Sequence, residues 1–132
     1  MIKQRLSATL LLLLPIVAQA DAVDTLLDSY RQAGAAEFSA ARGETHWKQS
    51  NPNPDGGKAR SCTDCHTNDL TQVGKHAKTG RKIDPMAPSV NPKRLTDVAK
   101  IEKWFKRNCN WTLGRACSPQ EKGDFLLYLR QQ

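Results

Sequence analysis

Cys62, Cys65 and His66 are the residues of this 132-residue chain whose types and spacing commit it to a particular chemistry. In Cys62-Thr63-Asp64-Cys65-His66 the thiols stand three positions apart, so on a helical turn they share one face. Each can then add across a vinyl group of the same haem to form a thioether. The adjacent imidazole projects beneath the ring as the proximal iron ligand. A structural zinc site would need two further ligands. The remaining cysteines, Cys109 and Cys117, have seven residues between them, where zinc motifs use two to four. A thioredoxin-like redox pair would need a preceding strand in a βαβ setting, which the pattern lacks. The expected cofactor is therefore one covalently bound haem c.

The ligand on the opposite face of the iron sets the function. Two strong axial ligands make an electron carrier, whereas a weak one leaves a place for a small molecule. Three side chains qualify. Met86 is the only methionine after residue 20, and Pro85-Met86-Ala87-Pro88 resembles the loop that presents methionine in electron-transfer cytochromes. The same residue would serve as an apolar contact in a wrapping loop. His76, in Gly74-Lys75-His76, is a second candidate, and also reads as an exposed or propionate-bonding histidine. Asn108 is the third. It closes an apolar helical stripe, where an unpartnered carboxamide costs about 1–3 kcal/mol. Its everyday alternative is a helix C-cap. Periodicity alone ranks Met86 first.

These residues have to be held by helices. Val23, Leu26, Leu27 and Tyr30, extended by Phe38, predict one helix from Asp21 to about Ala41, weakened at Gly34 and stopped by Gly43. Residues 49–60 pack Asn-Pro, Asp-Gly and Gly-Gly turn signals into a loop that ends at the haem motif. Residues 71–92 carry Gly74, Gly80, Pro85, Pro88 and Pro92 and read as an irregular wrap. A second helix is predicted over 93–108, with Leu95, Val98, Ile101, Trp104, Phe105 and Asn108 on one stripe. Ser118, Pro119 and Glu121 open a last helix with an N-cap, a first-turn proline and a capping-box acid. Phe125, Leu126, Tyr128 and Leu129 form its buried face. No strand is needed, so the fold class is all-α, with helices around one haem.

The first 20 residues read as a cleaved secretory signal. Lys3 and Arg5 precede an apolar run from Leu10 to Val17, and Ala18-Gln19-Ala20 is a small-x-small cleavage site. The run is too short to span a bilayer. The domain is thus 21–132, delivered to an oxidising periplasm where cysteines not otherwise used are free to pair. All 13 acidic residues but only 18 of the 20 basic ones lie in that domain, for a net charge of +5. Such a charge suits docking on an acidic protein surface and equally suits plain solubility. The basic residues are spread over several segments, which with export argues against nucleic-acid binding.

From Cys62 to Leu129 the sequence resembles the sphaeroides haem protein (SHP) family of oxygen-binding c-type cytochromes. The matching stretches are Gly74-Lys75-His76, Thr79-Gly80, Ala87-Pro88, Asn91-Pro92 and Arg94. The longest run is Glu102-Lys103-Trp104-Phe105-Lys106-Arg107-Asn108-Cys109-Asn110, followed by Leu113-Gly114-Arg115, Cys117 and Glu121-Lys122. Met86 stands where another apolar residue is expected, and Trp111 where an acidic one is. The resemblance implies a class I-like cytochrome c fold, Asn108 as sixth ligand to ferric iron, and a disulfide between Cys109 and Cys117. An amide oxygen is a hard, weak ligand that suits ferric better than ferrous iron. Reduction should then release Asn108 and admit O2, NO or CO. The alternative is a plain His/Met electron carrier using Met86. Family resemblance further implies reduction by a dihaem cytochrome c and a membrane cytochrome b, for which Lys75, Lys78, Arg81, Lys82, Lys93 and Arg94 offer a docking face. No second acid or base is placed beside the iron. The reading therefore leans away from an enzyme and leaves NO oxidation or peroxide chemistry without assigned residues.

Overall fold

The computed structural model describes residues 21–132; the expected signal and its cleavage after Ala20 lie outside the described residues. Helix α1 (Ala22–Gln32) starts where the Asp21 carboxylate accepts the Asp24 amide at 2.8 Å. It buries Val23, Leu26, Leu27 and Tyr30. The single helix predicted to Ala41 is broken in two. Gly34 adopts φ +95°, a conformation open to glycine, and the chain runs out of helix until Ser39 caps a new one, α2 (Ala40–Lys48). Phe38 is buried for a different reason than the stripe suggested: its ring lies against Gly123, with no room for a Cβ there. Gly43 is likewise no stop signal. It sits inside α2, where any Cβ would collide with the Asp124 carbonyl.

The haem motif forms the short helix α3 (Thr63–His66). Beyond it, the stretch expected to be strand-free contains a small antiparallel hairpin, β1 (Gly74–Lys75) with β2 (Lys82–Ile83). The cause is local. Gly80 takes φ +69°, and the His76 amide donates to the Arg81 carbonyl at 2.8 Å.

Helix α4 (Val98–Leu113) is displaced by about one turn from the predicted 93–108. Leu95 has φ +59°, which ends any helix there, and the Asp97 side chain caps the Lys100 amide at 2.9 Å. Gly114, in the left-handed conformation, closes the far end. The proposed stripe is corrected accordingly. Ile101, Cys109 and Thr112 are buried and Phe105 partly so, whereas Val98, Trp104 and Asn108 are exposed. Helix α5 (Pro119–Arg130) matches its prediction, with the reciprocal Ser118–Glu121 capping box and Phe125, Leu126, Tyr128 and Leu129 buried.

The core has two parts. α1, Phe38, Ile101 and Leu126 form one; Trp47, Leu70, Ala87, Phe125, Tyr128 and Leu129 form the other, with Leu95 and Phe105 packed against both. The second part includes Cys109 and Cys117, which are bonded to each other with their Cα atoms 5.6 Å apart. At the crossing of α2 and α5 the Asp124 side chain, 1% exposed, is a hub. It accepts from the Ser39 amide at 2.6 Å, from Arg42 Nε at 2.9 Å and from Gln120 Nε2 at 3.2 Å.

Candidate haem site

Two side chains and one glycine position the attachment turn. Arg60, just ahead of it, donates to the Trp111 carbonyl at 2.9 Å, and its guanidinium lies 4.7 Å from the centre of the Trp111 ring. The segment entering the motif is thereby fastened to α4. The Asp64 carboxylate accepts the Ser61 amide at 2.8 Å and fixes the start of the turn. On the other side Gly74 lies so close to Cys65 and His66 that a Cβ would meet the Cys65 carbonyl. The Ala77 amide then reaches the Cys65 sulfur at 3.4 Å. The hairpin is thus seated directly on the turn.

Cys62 and Cys65 are the free cysteines among the described residues, and both are half-buried. Burial, reinforced by the neighbouring Cys65, pushes the Cys62 thiol up to about 12, against a smaller lowering by the Thr112 hydroxyl of α4. The His66 imidazole packs 5.4 Å from the Trp47 ring. Burial, with the Arg94 charge adding to it, lowers its pKa to about 4. At neutral pH the ring is therefore uncharged, as a metal ligand must be. Arg94 itself donates to the Pro85 carbonyl at 2.9 Å and the Asp84 carbonyl at 2.6 Å, so it staples the Met86 loop and is not a free surface cation. Asn91 adds a third bond to that loop, 3.1 Å to the Pro85 carbonyl.

The sixth-ligand candidates separate. His76 is exposed, and its Nδ1 accepts the amides of Lys78 and Thr79, each at 3.2 Å. It builds the hairpin turn. Met86 is half-buried and packs on the core part that holds Leu70 and Ala87. Asn108 lies five residues before the end of α4, so it is not a C-cap. Its carboxamide makes no hydrogen bond among the described residues, while Asn110 bonds back to the Lys106 carbonyl at 2.6 Å. Asn108 stands one turn before Thr112, the residue that approaches Cys62.

Sequence reasoning missed Arg60 and the hub at Asp124. An arginine two residues before a cysteine motif and an acid within an apolar helix face were the available signals. The Trp111 departure from the family pattern also acquires a reason, since an aromatic ring receives the Arg60 guanidinium.

Two unblocked thiols on one helical turn, a neutral imidazole beside them and a glycine that lets the hairpin close over the turn fit one haem attached through both sulfurs. Helices around such a turn define a small class I-like c-type cytochrome. Comparison with known proteins agrees. A family model described as a domain of unknown function (DUF1924) matches residues 33–129. Cytochrome c-type protein SHP of Cereibacter sphaeroides is 43% identical over 109 residues, 81% of each chain. Cytochrome c'' of Methylophilus methylotrophus is 51% identical over 73 residues, which cover 55% of this chain and 51% of that one. The structure of oxidized SHP, described as an oxygen-binding cytochrome c, is similar with a TM-score of 0.75 at 41% identity, covering 83% of this chain and 96% of that one. Oxidized cytochrome c'' follows at 0.72 and 37% identity, covering 84% and 94%. The chain belongs to the SHP family of c-type cytochromes, and its cofactor is one covalently bound haem c.

Proposed function

We propose that this protein is a periplasmic, redox-gated cytochrome that binds a small diatomic ligand (O2, NO or CO) and passes single electrons. In this reading Cys62 and Cys65 carry the haem, His66 is the permanent ligand, and Asn108 is a sixth ligand held in the ferric state and released on reduction. Bound there, haem supplies an iron that stores one electron and offers an open position in the ferrous state. The chain's own part is to keep His66 neutral, to hold the attachment turn against α4, and to present a weak oxygen donor. The Cys109–Cys117 disulfide follows directly on Asn108 and limits how far that side chain swings. Domain 21–132 is delivered by cleavage after Ala20, and its reductants are a dihaem cytochrome c and a membrane cytochrome b.

The observation that carries this reading is the Asn108 carboxamide. It has no hydrogen-bond partner among the described residues, it is not a cap, and it stands one turn from Thr112, whose hydroxyl acts on the Cys62 thiol. The similarity to a protein described as an oxygen-binding cytochrome c supports the diatomic-binding part of this reading. Optical spectra with and without CO test it. The ferrous protein is expected to be high-spin and to bind CO rapidly, Asn108→Ala to turn the ferric form high-spin, and Met86→Ala to change neither. A low-spin ferrous form indifferent to CO, made reactive only by Met86→Ala, would replace Asn108 with Met86.

A further inference from the structure

The net positive charge is not spread evenly. The seven ion pairs among the described residues consume cations of α1, α2, α5 and the loops at their ends. None involves Lys75, Lys78, Arg81 or Lys82, all exposed, which crowd into the ten residues of the β1–β2 hairpin. The nearest acid along the chain is Asp84, just past β2. The hairpin is also the element seated on the attachment turn, through Gly74 against the Cys65 carbonyl and the Ala77 amide on the Cys65 sulfur. Its turn is stiffened by the two amides donated to His76 Nδ1. Four uncompensated cations on a rigid loop therefore border the sulfur through which the haem is tied.

We propose that the β1–β2 hairpin is the docking surface for an acidic electron-donor protein, with Lys75, Lys78, Arg81 and Lys82 as the charges that steer and orient it. This rests on the reading that haem is attached through Cys65. The α4 lysines are equally exposed, but the backbone groups shown against Cys65 belong to the hairpin, Gly74 and Ala77, so orientation is assigned to the hairpin and only general attraction to α4. Arg94, an obvious member of the basic set by sequence, is excluded because its guanidinium is spent on the Asp84 and Pro85 carbonyls.

The test uses the haem-loaded protein and reduced flavodoxin, a strongly acidic donor, as probe. Flavodoxin hydroquinone loses one electron to become semiquinone and one ferric haem becomes ferrous. Two variants with the same loss of charge are compared with wild type by stopped flow: K75Q/K78Q/R81Q/K82Q in the hairpin and K58Q/K100Q/K103Q/K106Q elsewhere. At low salt, where screening is weak, the hairpin variant is expected to react roughly tenfold more slowly and the other less than threefold more slowly. At about 0.5 M salt all three rates should converge. Hexaammineruthenium(II), a small cationic donor, should reduce the hairpin variant at least as fast as wild type. Equal losses in the two variants, or no loss in the hairpin variant, overturn the docking surface; so does a matching loss with the ruthenium complex. A wild-type pyridine haemochrome spectrum without thioether-linked haem would overturn the parent reading instead, and this one with it.

Discussion

Replacing Asp124 separates what one buried carboxylate does for the crossing of α2 and α5. Three groups donate to it: the Ser39 amide, the Arg42 guanidinium and the Gln120 carboxamide. Arg42 is half-exposed and also reaches the Glu37 carbonyl, so water and that carbonyl would compensate it and its share is discounted. Gln120 likewise keeps the Glu37 carbonyl at 3.1 Å. The Ser39 amide has no such refuge, and leaving it unpaired costs about 2 kcal/mol. Loss of a negative charge at the start of α2 adds roughly 0.5–1 kcal/mol. Asp124→Ala should therefore destabilise by about 3 kcal/mol. Asp124→Asn retains an acceptor for Ser39 and loses the charge alone, about 1 kcal/mol. For a domain of this size each kcal/mol moves Tm by roughly 4 °C, so the drops should be near 12 °C and 4 °C. Thermal unfolding of the ferric, haem-loaded proteins by far-UV circular dichroism reads both. If Asp124→Ala melted within about 2 °C of wild type, or Asp124→Asn fell as far as Asp124→Ala, the hub argument would be wrong.

Two further outcomes follow from the site. Gly74→Ala should lower the yield of covalently loaded protein several-fold, because its Cβ would meet the Cys65 carbonyl and the His66 backbone; the thioether haemochrome band per mole of protein measures this, and a normal yield would show that the hairpin yields instead. The Glu121 carboxyl is held at about 2 from an ordinary 4.5, chiefly by its hydrogen bonds with Arg115 and also by the Ser118 amide, against burial. A depressed acid stabilises above its unfolded pKa and loses that contribution as pH falls through the folded one. Wild type should thus exceed Glu121→Gln by about 1 kcal/mol at pH 6, after discounting for the exposed Arg115, with the difference fading between pH 4.5 and 2. Urea unfolding at several pH values decides it, and a pH-independent difference would refute the ion-pair account.

Features written into a few neighbouring residues were the ones legible from sequence. The haem motif needs only five consecutive positions. The α5 start needs only Ser118, Pro119 and Glu121; the helical turn expected of the motif formed, and α5 begins at the predicted residues. What depends on contacts distant along the chain did not. Phe38 looked like an extension of α1 because its spacing fits, but its burial is decided by Gly123, eighty-five positions away. Gly43 carried the signature of a helix end, yet its missing side chain serves a helix crossing with Asp124 and Tyr128. The α4 stripe begins on Leu95 because its side chain is apolar and the spacing fits, yet the backbone there cannot continue the helix. Trp104 was counted as core on hydrophobicity, although it is 43% exposed with Arg107 over its ring. Asn108 was found for a reason the structure removes: it does not face the core. The family pattern pointed to it independently of that stripe.

The bridge between Asn51 and Arg60, with both backbone bonds at 2.8 Å, closes the segment between them at its base. Because Arg60 is separately gripped by Trp111, the length of that excursion is uncoupled from the placement of the cysteines. Extra residues grafted at Gly56-Gly57 would enlarge a bulge whose closure penalty grows only logarithmically, about 0.6 kcal/mol per doubling. A spin label, fluorophore or affinity peptide can be carried there as cargo, giving a handle on the working cytochrome without touching its coordination chemistry.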